Sequence, residues 1–143
     1  MGDGPRCVVD TNVLISAGLI RSSTPGRVLD WVLQNGLLLT SVEARDEFAS
    51  RFIGRSKFDR YATPTERRDF VADTLRTAEV VAVTSTPAIC ADPNDDTFVA
   101  LAVDGRADVI VTGNTRDFLA EHAGVPVLTP ARFAERYLAT PPA

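Results

Sequence analysis

Asp10 ends the apolar run Cys7-Val8-Val9 and is followed at once by Thr11 and Asn12. An acid at the carboxyl end of a buried strand lies where open α/β sheets bind their ligands. Other acids stand at comparable points. Glu47 falls about two turns into a helix that follows a second apolar run. Asp92-Pro93-Asn94-Asp95-Asp96 opens a later helix, and Val109-Ile110-Val111-Thr112 leads into Gly113-Asn114, with Asp117 close behind. A parallel sheet presents all its carboxyl ends to one edge, so Asp10, Glu47, Asp95 and the 114–117 turn are expected to converge there. Carboxylates crowded into one cleft repel each other. A hard divalent cation, Mg²⁺ or Mn²⁺, relieves the repulsion, because it favours oxygen ligands and keeps several waters. Such waters can attack a phosphodiester while the metal holds the charge developing on phosphorus.

The elements that must position these acids are readable as alternating strands and helices. Arg6–Val9, Leu37–Thr40, Val80–Val83, Val109–Val111 and Val125–Leu128 read as strands. Pro25-Gly26 opens a helix that Asn35-Gly36 closes, and Ser41 caps the next one. Thr63-Pro64-Thr65-Glu66 is a capping-box start. Asp92 with Pro93 next reads as the N-cap of the following helix, which ends at Gly105. Phe118–Ala123 suggests a short helix, and Thr129-Pro130 opens a last one through Phe133, Tyr137 and Leu138. The alternation predicts a three-layer α/β/α sandwich with a mostly parallel, five-stranded central sheet. The strands Arg6–Val9, Leu37–Thr40 and Val109–Val111 are apolar on both faces, as buried parallel strands are. At 143 residues the chain is expected to form a single domain, 1–143, with its core over about 6–139.

Composition narrows the chemistry further. Hydrophobic residues make up 45% and charged residues 24%, an ordinary globular balance, and no apolar run is long enough to span a membrane. The first six residues are too few and too polar for a signal peptide, so the expected location is cytoplasmic. Two cysteines and one histidine are too few for a disulfide scaffold or a Cys/His zinc site. Cys7 reads as core packing, and His122 as a solvated or capping residue near a helix end. Net charge is −4, yet residues 45–68 hold Arg45, Arg51, Arg55, Lys57, Arg60, Arg67 and Arg68 against only four acids. A locally basic arm on an acidic body can touch phosphates, or it can simply be a solvated helix face. Trp31, Phe48, Phe58 and Phe70 lie on helical stripes and read as core or dimer contacts rather than base-stacking platforms. There is no G-x-G-x-x-G, Walker A loop or G-x-S-x-G elbow. Asn12 stands where a haloacid-dehalogenase-like phosphatase needs a second Asp, and Lys57, the only lysine, is not after a late strand as a response-regulator receiver requires.

Taken in order, four motifs carry a resemblance. They are Val8-Val9-Asp10-Thr11-Asn12-Val13-Leu14, Ser41-x₅-Glu47 with Arg55-x-Lys57-Phe58, Asp92-Pro93-Asn94-Asp95-Asp96 with Ala102, and Val111-Thr112-Gly113-Asn114-x-x-Asp117-Phe118. The chain resembles the PIN-domain family, in particular the branch of toxin–antitoxin toxins related to VapC-type ribonucleases. The resemblance runs from about Arg6 to about Phe133. It implies a metal-dependent, single-strand-selective endoribonuclease, with RNA as substrate, a small antitoxin as partner and a homodimer as assembly. Residue by residue, it makes Asp10, Glu47 and Asp95 acidic metal ligands and catalytic residues. Glu47 is preferred over its neighbours Glu43 and Asp46 by its offset from Ser41. Many members of the branch carry Asp where this chain has Asn114, and others use the later acid. Asp117 is therefore taken as the fourth ligand and Asn114 as a polar neighbour. Thr11 and Asn12 would orient Asp10 and a water, Thr112 would shape the fourth-ligand turn, and Asp96 would support the site. Arg51, Arg55, Lys57 and Arg116 are the expected substrate-backbone contacts. The other expectation, which Asn114 keeps alive, is a degenerate PIN domain that binds RNA or protein without cutting.

Overall fold

A computed structural model describes residues 4–85, 93–113, 121–122 and 124–138; for Pro93–Asp96 and Glu121–His122 it describes the backbone alone. Among the described residues six strands form one sheet. They are β1 (Arg6–Val9), β2 (Leu37–Thr40), β3 (Glu79–Val80), β4 (Val109–Val111), β5 (Glu121–His122) and β6 (Val125–Leu128), in the order β3-β2-β1-β4-β6-β5. Five of them run parallel, as expected, and β5 is an antiparallel edge. Six α-helices accompany them: α1 (Thr11–Leu19), α2 (Thr24–Asn35), α3 (Val42–Gly54), α4 (Pro64–Leu75), α5 (Pro93–Asp104) and α6 (Pro130–Phe133). The last continues as a π-helical turn over Ala134–Leu138. None of the described helices is long and apolar enough to cross a membrane.

The three layers follow from the two-residue period of the strands. Cys7, Val9, Leu38, Val109 and Val111 face a core shared with α1–α4 and α6. Val8, Leu39, Ile110, Val125 and Val127 face the other way, onto Phe98, Val99, Leu101 and Ala102 of α5. Both faces are therefore dry, which is why these strands read as continuous apolar runs. Burial pushes the Cys7 thiol up to about 12, so this cysteine is packing, as expected. Phe48, Phe52, Phe58 and Phe70 interlock between α3 and α4, while Trp31 packs on Phe133 and Tyr137. Phe48, Phe52, Phe58 and Phe133 are core, and Trp31, Phe70 and Tyr137 are half-buried against it.

Helix starts match the caps read from the sequence. Ser41 accepts from the Ala44 amide, Thr63 and Glu66 close a capping box, and Thr129 caps α6. Four expectations are corrected. Helix α1 is hidden in the sequence because Thr11, Val13, Leu14, Ile15 and Ala17 are all buried, which leaves a polar stripe only as wide as Asn12 and Ser16. Glu121–His122 is strand, not helix; the rest of the expected 118–123 helix lies outside the described residues. Strand β3 covers Glu79–Val80 rather than Val80–Val83, although the Val81 amide still reaches the Thr40 carbonyl at 2.8 Å. Arg67 is not part of a solvated basic arm. It is 1% exposed and donates to the carbonyls of Phe52, Ala62 and Ile53, with Asp59 at 2.9 Å. The guanidinium fork suits this role, tying the end of α3 to α4.

Gly18, near the end of α1, lets that helix approach α3 and α4. A Cβ at this position would stand 2.7 Å from Phe52 Cζ and 2.8 Å from Phe70 Cε2. Only glycine fits there without moving an aromatic ring.

Candidate active site

Asp10 is the first residue beyond β1, and its geometry is fixed from three sides. Its amide donates to the Val111 carbonyl at 3.0 Å, which holds it beside the end of β4. Its Oδ1 accepts from the Val13 amide at 2.9 Å, so the side chain is the N-cap of α1. Its Oδ2 accepts from the hydroxyl of Thr112. Thr112 is itself fully buried, and its amide donates to Leu128 at 3.0 Å, so the hydroxyl is held between the ends of β4 and β6. Asp10 is 6% exposed. Burial pushes its carboxyl above the ordinary value; the Thr112 hydroxyl and the amides of Val13 and Asn12 pull the other way, and the charge of Glu47 adds to the rise. Among the described residues no cationic side chain pairs with Asp10.

Glu47 comes to the same edge from α3. Of the three acids that compete in the sequence, Glu43 and Asp46 are exposed and Glu47 is half-buried. The Thr11 hydroxyl donates to Glu47 Oε2, and Arg51 Nη2 lies 3.0 Å from Glu47 Oε1. Thr11 thus serves Glu47 through its side chain rather than Asp10. Asn12 reaches Asp10 through its backbone, and its side chain edges a cavity of about 190 Å³ beside Asp10, with Ser16 next to it and Pro25 and Pro130 as walls. A larger cavity, about 380 Å³, lies at the other end of α1 around Gly18, Arg21 and Phe70, and none of the expected site acids lines it.

The backbone also directs the first turn of α5 to the same edge. The end of α5 is at the amino edge, because Arg6 Nη2 donates to the Gly105 carbonyl at 2.7 Å and the Asp108 amide to the Arg6 carbonyl at 2.7 Å. A helix of 12 residues rises about 18 Å, enough to cross the height of the sheet. Asp95 and Asp96 therefore sit on the turn of α5 nearest the carboxyl edge. Asn114, Arg116 and Asp117 lie outside the described residues. So does Asp92, the expected cap of α5. Arg55 and Lys57 are exposed just past α3, Lys57 standing over the Phe58 ring at 5.1 Å.

Donor chemistry at this edge suits a hard cation. The ligating atoms on offer are carboxylate oxygens, and those of Asp10 are buried with no cationic partner among the described residues. Among the described residues no three His, Cys, Asp or Glu side chains gather.

A parallel sandwich that brings acids to the carboxyl edge of its sheet defines a class of small α/β domains built around an acidic cleft. Within that class, the PIN domain family model matches residues 6–116, and the chain belongs to that family. Two solved structures share the fold. One is VapBC2 from Rickettsia felis bound to a DNA fragment from their promoter, with TM-score 0.60 and 14% identity over 87% of this chain and 98% of that one. The other is VapC20 from Mycobacterium tuberculosis, a Sarcin-Ricin loop cleaving toxin, with TM-score 0.55 and 15% identity over 84% and 98%. A comparison with curated proteins gives no significant match.

Proposed function

We propose that the chain is a divalent-metal-dependent endoribonuclease that hydrolyses RNA phosphodiester bonds, and the toxin component of a toxin–antitoxin pair. The observation that carries this reading is the meeting of two acids from different elements at one sheet edge, each fitted with a threonine hydroxyl: Thr112 on Asp10 and Thr11 on Glu47. Family membership supports it, and the similarity of fold to VapC20 and to VapBC2 supports the toxin role and a small antitoxin as partner.

In this reading Asp10, Glu47, Asp95 and Asp117 hold Mg²⁺ or Mn²⁺, and Asp96, Thr112 and Asn114 complete the surroundings. The bound ion supplies an activated water and offsets charge on the scissile phosphate. The rest falls to the chain's own residues. Thr112 and the amides of Asn12 and Val13 hold the Asp10 carboxylate in one orientation. Thr11 fixes the rotamer of Glu47. Arg51, Arg55, Lys57 and Arg116 guide the phosphate backbone of single-stranded RNA, which is a sequence-independent contact. The chain acts as one domain over residues 1–143, in the cytoplasm, as a homodimer.

The test is Asp10→Asn, assayed on single-stranded RNA with Mn²⁺. Cleavage is expected to fall to background while the circular-dichroism spectrum stays unchanged. Cleavage retained by a clean preparation of this variant would overturn the assignment. Wild-type protein that binds RNA but takes up no Mn²⁺ by calorimetry at millimolar metal would replace it with the non-catalytic binding module.

A further inference from the structure

Arg51 stands in an unusual place for a residue that only steers RNA. It lies one turn after Glu47 on α3, and its Nη2 is 3.0 Å from Glu47 Oε1. The other Glu47 oxygen is taken by Thr11. Both oxygens of a carboxylate expected to bind metal are therefore engaged, one by a neutral donor and one by a cation. Neither partner of the ion pair is fully solvated, the side chains being 32% and 26% exposed. Asp10 feels the charge of Glu47 from the adjoining element, and among the described residues no other cationic group pairs with either acid. Among the described residues, Arg51 is the positive charge paired with this couple of acids, through Glu47.

We propose that Arg51 is an internal counter-ion for Glu47, which a divalent cation displaces and which then becomes free to meet substrate phosphate. The inference rests on the nuclease reading above and adds a positioning role to it. A single guanidinium neutralises one charge and can be screened, whereas a divalent ion at the same carboxylate also answers Asp10. The exchange is therefore downhill when metal is present, and a partly exposed i,i+4 pair is weak enough to yield. Release has a direction. Arg55 caps the end of α3 one turn beyond Arg51, with Lys57 just past it, so a guanidinium that leaves Glu47 joins a basic end of the helix whose mutual repulsion a phosphate anion would relieve. Two effects then pull against each other. Arg51 lowers metal affinity in the resting protein and raises affinity for the RNA backbone once metal is bound.

The test is calorimetric titration of the full chain with MnCl₂ alone, at low salt and at about 0.5 M salt, for the wild type, Arg51→Gln and Arg51→Lys. Melting curves check that each variant is folded. Arg51→Gln is expected to bind Mn²⁺ about three- to tenfold more tightly than the wild type at low salt, with the gain shrinking at high salt. Arg51→Lys, which keeps a charge at i+4, is expected to stay near the wild type. Equal or weaker binding by Arg51→Gln beside a wild type that binds Mn²⁺ overturns this inference and leaves the nuclease reading standing. Absence of binding in both overturns both. Binding by Arg51→Gln alone supports the inference in its strongest form.

Discussion

At the amino edge of the sheet, charge is matched by charge. Arg6 pairs with Glu79 at 2.8 Å, donates twice to the Gly105 carbonyl, and its amide meets Asp108 Oδ2 at 2.8 Å. The Arg6 guanidinium holds the Glu79 carboxyl below its ordinary value. At the carboxyl edge Asp10 is buried, unpaired with any cation among the described residues, and pushed the other way. The same sheet thus carries two kinds of acid. One is placed where its ionised form is welcome, and the other where burial makes that form costly. A charge left uncompensated in a buried cleft is how a fold marks a site for a ligand.

The comparison breaks most sharply at Asp10 itself. Its folded value lies above its unfolded one, so the fold is favoured while Asp10 is protonated, and that advantage is lost as pH rises through the folded value. Asp10→Asn keeps the cap of α1, since Asn is as good an N-cap, and removes the charge. Its melting temperature is expected to match the wild type in acid, to exceed it by a margin that opens as pH rises from the ordinary carboxylate range through the folded value and then levels off, and to ignore added Mn²⁺. Coincident curves at every pH would show that the carboxyl edge is as settled as the amino edge.

A smaller effect is expected at Thr11. Thr11→Val keeps the shape of a buried β-branched residue and frees Glu47 Oε2. Mn²⁺ affinity should drop about tenfold, as for other supports of metal ligands, with kcat following the metal and the melting temperature nearly unchanged. A large loss of stability would instead make Thr11 a packing residue.

The amino edge should show the reverse pattern. Arg6→Ala is expected to cost about 1–2 kcal/mol in urea unfolding, from the lost bonds to Gly105 and Glu79, with Mn²⁺ affinity unchanged. Glu79→Gln should be the mildest, costing less than about 1 kcal/mol, because exposed pairs contribute little. A change in metal affinity from either variant would erase the distinction between the edges.

How legible each part was follows from what makes a pattern. β1, β2, β4 and β6 begin and end where their apolar runs do, because burial on both faces writes itself into every residue. The edge strands are short and polar or exposed, so the β-branched run Val80–Val83 overshoots β3 by three residues and omits Glu79, and β5 has the look of a helix. α1 shows a polar stripe of only Asn12 and Ser16, too narrow to signal a helix or the capping role of Asp10. Within the site, the positions of Asp10 and Glu47 were readable from their distance past strand ends and caps. The route of the Thr11 hydroxyl was not, because it depends on how α1 packs against α3. Arg67 shows the same limit: in sequence it matches the arginines around it, and only the carbonyls that surround it in the fold set it apart.

That packing of α1 against α3 has a consequence for how finely the site is set. Thr11 opens α1 and Gly18 lies near its far end, about 10 Å along the axis. The contact at Gly18 works as a spacer of zero thickness, and Phe52, which presses on it, belongs to the same helix as Glu47. A side chain at position 18 would have to displace the Phe52 or Phe70 ring or push the two helices apart, and the second course strains the span that the Thr11 hydroxyl bridges. The setting of Thr11 against Glu47 is therefore gauged in part at the opposite end of the helix, by a residue that touches neither acid.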